Sequence, residues 1–265
     1  MGNDVKNAGQ SPEGQNPAVN KEKTFGIRLR ASRWNTLAAA AVLVLAGFLF
    51  GWELVLHLQA EEPEMTNAAF VGYGVGFWLL SLATSLACLV ELRLPGWVRR
   101  ATSWVLLLLL PLGAFVAVDF INSTRILSFT FEKMLANYLC YLMVFAVIYA
   151  ISRRVWVTAL AGGLLFLIFG IANYFVVQFR GQPILPWDIQ GFGTALTVSG
   201  GYTYKPTPLM TVVAMAYLLT VVVCVKLAPK EKPQRSLRLA ERGVAAGVAA
   251  FLFVLLFPVN IMSAL

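Results

Sequence analysis

The chain has 265 residues, of which 58% are hydrophobic and 13% charged, and its mean hydropathy is +0.72. A soluble domain carries about 25% charged residues, so a water-soluble globular enzyme and a disordered or fibrous chain are both excluded. The formal net charge of +8 raises nucleic acid as a partner, a question that the placement of the basic residues answers.

Residues 1–36 are polar, rich in Asn, Gly, Pro and Lys, and read as a disordered cytoplasmic tail. A secretory signal would carry its apolar core nearer the start and a small-residue cleavage site after it. Leu37 instead opens a run over 37–56 that reads as an uncleaved signal-anchor helix. Six further apolar runs follow at 68–90, 101–118, 134–151, 155–177, 208–227 and 243–262. Each is long enough to cross a hydrocarbon core of about 30 Å. The predicted fold class is all-α, a polytopic transmembrane bundle of about seven spans. The three cysteines, Cys88, Cys140 and Cys224, lie inside these runs at no metal or redox spacing and read as packing residues.

Basic residues stay on the cytoplasmic side of short loops. With the amino terminus inside, 17 of the 21 basic residues fall on that side. They lie in the tail, after the second span (Arg93, Arg99, Arg100), after the fourth (Arg153, Arg154) and between the sixth and seventh. Arg125, Lys133, Arg180 and Lys205 fall on the outer side, with the acidic Glu61, Glu62 and Glu64. The split predicts an inside amino terminus and an outside carboxyl terminus. It also excludes nucleic acid, because the charge is scattered over membrane-flanking loops and forms no stripe. Trp34, Trp52, Trp97, Trp104, Trp156 and Trp187 sit at or near span ends, as interfacial anchors do.

The most informative stretch is 178–207, QFRGQPILPWDIQGFGTALTVSGGYTYKPT. It is long for a connector in a compact bundle, and its aromatic content argues against disorder. Pro183 and Pro186 fix its entry, and Asp188 reads as the cap of a short helix running to about Val198 and ended by Gly200 and Gly201. An interfacial or re-entrant hairpin on the outer leaflet is expected.

Here the residues resemble a known family. Asn173-Tyr174, Phe179-Arg180-Gly181-x-Pro183-x-x-Pro186-x-Asp188, Thr194-Ala195 and Tyr202 resemble the membrane half of bacterial lipoteichoic acid synthase-like proteins. These are phosphoglycerol transferases of the alkaline phosphatase/sulfatase superfamily. The resemblance is strongest over 165–207. It implies a multi-pass protein of the bacterial cell membrane, in cell-envelope polymer synthesis, with phosphatidylglycerol as donor lipid. It further implies that a threonine nucleophile and a manganese or magnesium ion reside in a large outer domain. The only histidine here is His57, so no such metal site is expected from these residues, and no cofactor is expected in this chain. The chain is expected to be a non-catalytic membrane domain. It would work with a catalytic domain of a longer product or with a separate partner.

Within that frame Arg180, where the fifth span emerges, is a candidate for pairing with a lipid phosphate in a bidentate way. The competing reading is an interfacial snorkel. Lys205 is a second candidate cation or a plain loop charge. Asp188 would orient Arg180 or accept a glycerol hydroxyl, against its role as a cap. Asn173 lies within a span, where an amide needs a partner, so an interhelical hydrogen bond competes with a headgroup contact. Glu53 and His57, one helical turn apart, are spaced to share a proton or to sit plainly at the interface. Gly72-x-x-x-Gly76 and Gly243-x-x-x-Gly247 offer sites of close helix approach. A stand-alone transporter or lipid flippase, or an accessory scaffold, is the alternative function. Against transport stand the lack of inverted repeats and of ionisable residues in the middle of the spans.

Overall fold

The structure is a computed structural model that describes residues 26–29, 32–60, 65–122, 129–185, 188, 204–228 and 235–262. It is an all-α bundle of α1 (Arg33–Gln59), α2 (Asn67–Leu89), α3 (Gly96–Ile121), α4 (Phe131–Ser152), α5 (Val155–Arg180), α6 (Pro208–Leu227) and α7 (Arg235–Met262). A two-stranded antiparallel ribbon joins β1 (Gly26–Leu29) to β2 (Val90–Arg93). All seven helices are long and apolar enough to cross a membrane, α7 through its stretch Leu239–Leu256. The protein is a multi-pass membrane protein.

The helices outrun their apolar runs because polar residues finish them. Ser32 accepts a hydrogen bond from the Asn35 amide at 3.3 Å, so α1 starts at Arg33 rather than at Leu37. Thr66 and Thr207 cap α2 and α6 in the same way, with Pro208 at the first position of α6. The boundary of the tail read at residue 36 therefore moves. Gly26–Leu29 is a strand, and residues 1–25 lie outside those described. At the other end of α4, Arg153 takes a left-handed conformation (φ 55°) in a two-residue link to α5.

Successive helices run up and down. The ribbon and the 152–155 turn lie at one end of the bundle, and the ends of α3 and α5 lie at the other. α1 packs on α2, α2 on α6, α6 on α3 and α5, and α4 on α3, α5 and α7. Late in sequence, α6 is thus central in space. The packing is that of a membrane protein, with small and hydroxylated residues inside and large apolar ones outside. Ser81, Thr84 and Thr158 are fully buried, whereas Val44, Val71 and Val254 are exposed. Ser81 and Thr84 donate back to the carbonyls of Phe77 and Leu80, and Ser85 donates across to Ala39 of α1.

Close approach is set by other glycines than those the spacing picked out. Gly72, Gly76, Gly243 and Gly247 are exposed and have open space where a Cβ would stand. The tight positions are Gly74 on α2, where a Cβ would meet the Phe50 ring at 3.0 Å, and three glycines on α5. A Cβ at Gly162 would meet the Phe145 ring at 2.7 Å, and one at Gly163 would strike the Tyr217 ring. Gly170 lets the Val118 backbone of α3 come close. Between α3, α5 and α6 lies an apolar cavity of about 510 Å³, walled by residues such as Leu110, Ala117, Phe166 and Val213.

Candidate functional site

At the end of α5 the chain makes a compact hydrogen-bonded clamp. The helix stops at Arg180 because Gly181 adopts φ 73°, its amide donating to the Val177 carbonyl at 2.7 Å. Asp188 faces the Arg180 guanidinium. Arg180 donates through Nη1 to Asp188 Oδ1 at 2.8 Å and through Nη2 to Oδ2 at 2.7 Å, a bidentate pair. The same Nη2 donates to the Pro183 carbonyl at 2.8 Å. Asp188 also accepts from the Leu185 amide at 2.7 Å, and its own amide donates to the Leu185 carbonyl at 2.9 Å. The Arg180 hydrogen bond, helped by the Leu185 amide, holds the Asp188 carboxyl down at about 2. The pair is half-exposed.

Beneath the clamp, Asn173 ties it to the bundle. Its Oδ1 accepts from the Ile184 amide at 2.8 Å, and its Nδ2 donates to Asn122 Oδ1 at 2.6 Å. Asn122 in turn donates to the Val118 carbonyl at 2.8 Å and the Gly170 carbonyl at 3.3 Å. The Gly170 carbonyl is within reach because a glycine there brings α3 and α5 together. A continuous chain of bonds thus runs from α3 through α5 to the loop.

Of the four candidate residues, Asn173, Arg180 and Asp188 are brought together. Lys205 is exposed, and among the described residues no hydrogen bond or ion pair joins it to them. Next to it, Tyr204 packs edge-on against Phe175, with ring centroids 5.1 Å apart. Asn173 makes the expected interhelical hydrogen bond, and Asp188 pairs with Arg180. The bidentate fork of Arg180 is engaged by Asp188, so an incoming phosphate would meet single N–H groups on the two flanks of the guanidinium rather than a free edge. Three of the five guanidinium N–H groups are used by described residues, leaving Nε–H and one N–H of Nη1. The helix expected from Asp188 to Val198, with Pro186, Trp187, Thr194, Ala195, Gly200, Gly201 and Tyr202, lies outside the described residues, Asp188 excepted.

Sequence reasoning missed Asn122, which lies past the end of the run at 101–118. A polar residue at the matching depth of a neighbouring span was its available signal. It also missed the work of two basic residues at the ribbon end. Arg99 is only 6% exposed and donates to the carbonyls of Leu92, Leu94 (3.4 Å) and Ala228 (2.8 Å). Lys226 donates to the Cys88 carbonyl at 2.5 Å. The Cys88 and Ala228 carbonyls lie at the C-terminal ends of α2 and α6, where the helix dipole is negative, and those of Leu92 and Leu94 lie in β2 and its link to α3.

His57 hydrogen-bonds Asn67 at 3.0 Å and stacks on Phe70 at 4.1 Å, which gives the imidazole partners on α2. Glu53 is buried one turn away. Among the described residues no three His, Cys, Asp or Glu side chains gather as metal ligands.

Comparison with protein-family models, curated proteins and solved structures found no match to this chain.

Proposed function

We propose that the chain is the membrane domain of a lipoteichoic acid synthase-like phosphoglycerol transferase. In this reading it sits in the bacterial cell membrane with its amino terminus inside. It anchors the system and presents an anionic lipid headgroup, that of phosphatidylglycerol, at the outer face. The catalytic chemistry belongs to a separate domain or partner. One observation carries the reading: Asn173, Arg180, Gly181, Pro183 and Asp188, five of the residues behind the resemblance, form a single bonded unit at the mouth of α5. Such a unit holds the guanidinium at fixed height and angle with its Nε–H left to meet a lipid phosphate, and fixed donor geometry is what such recognition draws on. The 17-to-4 distribution of basic residues supports the orientation.

Binding of labelled phosphatidylglycerol to the chain in phosphatidylcholine nanodiscs tests the reading. Arg180→Ala should weaken binding about tenfold, the loss of one charge-assisted hydrogen bond at about 1.4 kcal/mol or more. Lys205→Ala should change it less. Unchanged binding in Arg180→Ala would remove the headgroup role and leave the clamp as architecture.

A further inference from the structure

We propose that the β1–β2 ribbon is a second membrane-contact element, whose apolar face rests in the interfacial layer of an anionic leaflet at the end of the bundle opposite the clamp. This proposal is independent of any function assigned to Arg180.

Register and alternation build the ribbon's two faces. Ile27 stands opposite Leu92 and Leu29 opposite Val90, while Gly26 stands opposite Arg93 and Arg28 opposite Glu91. Directly opposed residues share a face and successive residues alternate between faces. One face is therefore Ile27, Leu29, Val90 and Leu92, wholly apolar. The other is Gly26, Arg28, Glu91 and Arg93. Ile27 and Leu29 are each 76% exposed, so the described residues leave this half of the apolar face uncovered. An isolated two-stranded ribbon is marginal in water, and an uncovered apolar face calls for a surface to bury it.

Three features identify a bilayer as that surface. First, the ribbon's level is fixed against the spanning helices. β2 follows α2 directly, and buried Arg99 binds the Leu92 and Leu94 carbonyls from the first turn of α3. Second, Trp34 and Trp97, in the first turns of α1 and α3, are also exposed, and large aromatic rings at helix ends mark the headgroup level. Third, exposed arginines surround the ribbon: Arg28 and Arg93 on its polar face, Arg33 and Arg100 on the adjoining helices. Their charge complements anionic headgroups. An apolar face beside a cationic one at a fixed membrane boundary is the β counterpart of an interfacial amphipathic helix.

Spin labels at adjacent ribbon positions test this in the full chain. Ile27→Cys and Arg28→Cys, each in a background of Cys88→Ala, Cys140→Ala and Cys224→Ala, are labelled with a nitroxide and reconstituted in phosphatidylglycerol/phosphatidylcholine vesicles. Both sites are exposed, so both variants should fold. The label at 27 should favour collisions with oxygen several-fold over a water-soluble nickel chelate, and the label at 28 should show the reverse. Position 27 should sit shallower in vesicles of phosphatidylcholine alone. Equal nickel accessibility at both positions would overturn the proposal. So would equal depth in the two lipids. Dipolar broadening between labels would overturn it in favour of β1 edges pairing between two copies.

Discussion

The two ends of the bundle fix their loops with arginine, by different chemistry. At the clamp end Arg180 meets a carboxylate, Asp188, and the pair is half-exposed. At the ribbon end Arg99 is buried and meets only carbonyl oxygens of Leu92, Leu94 and Ala228. A carboxylate partner neutralises the guanidinium and can exchange it with another anion. Carbonyl acceptors leave the positive charge in place, and that of Ala228 holds it against the negative end of α6. The first arrangement suits a site that admits a ligand. The second suits a permanent joint.

The largest way to break this contrast is at the joint. Arg99→Met removes three hydrogen bonds to a buried cation and should cost about 3 kcal/mol of stability, read from unfolding in mixed micelles. It should also release β1, seen as faster amide exchange over 26–29. A change below about 0.5 kcal/mol would mean that the carbonyls find other donors.

The tie between clamp and bundle should be weaker. Asn173→Leu loses its bonds to Asn122 and to the Ile184 amide, for about 1–2 kcal/mol. A double-mutant cycle with Asn122→Leu should recover part of that loss as a coupling term. Strict additivity would show that the two amides do not act on each other.

The smallest effect sharpens the comparison by pH. Asp188 has its carboxyl lowered from 3.8 to about 2, so it stabilises the loop fully above about pH 4. That contribution is lost as pH falls through about 2. The Arg99 joint, whose acceptors are carbonyls and do not titrate, should not follow. Protease cleavage within residues 181–185 should therefore rise between pH 4 and 2 in the intact chain, measured with an acid-active protease. Asp188→Asn should be cleaved readily at both. Parallel loss at the two ends would erase the distinction.

Much of this architecture is legible in the residues. Apolar runs located every spanning helix, because crossing a membrane demands length and apolarity over a contiguous stretch. Asn173, Arg180 and Asp188 stood out as polar groups at a span's end beside turn-forming Gly181 and Pro183. What was not legible depends on which helices meet. Asn122 and Gly170 matter only because α3 and α5 are neighbours, and composition along one helix does not disclose its neighbour. The GxxxG spacings misled for the same reason: Gly162 and Gly163 touch aromatic rings, while the evenly spaced pairs face outward. The ribbon is not legible in the sequence because four-residue strands carry little periodic signal.

The central position of α6 has a consequence for how the protein is made. Contacts that close the bundle span about half of the chain: Tyr73 with Thr211, Cys88 with Lys226, Arg99 with Ala228, the last separated by 129 residues. A ribosome feeding spans into the membrane in order delivers α1 and α2, then α3 to α5, before the helix that joins the two groups exists. Until α6 arrives, each group must wait in the bilayer with its seam open to lipid. Assembly is therefore gated by the sixth insertion event. Substitutions in α6 should trap a half-assembled intermediate that quality-control proteases can recognise, even where they leave the finished bundle intact.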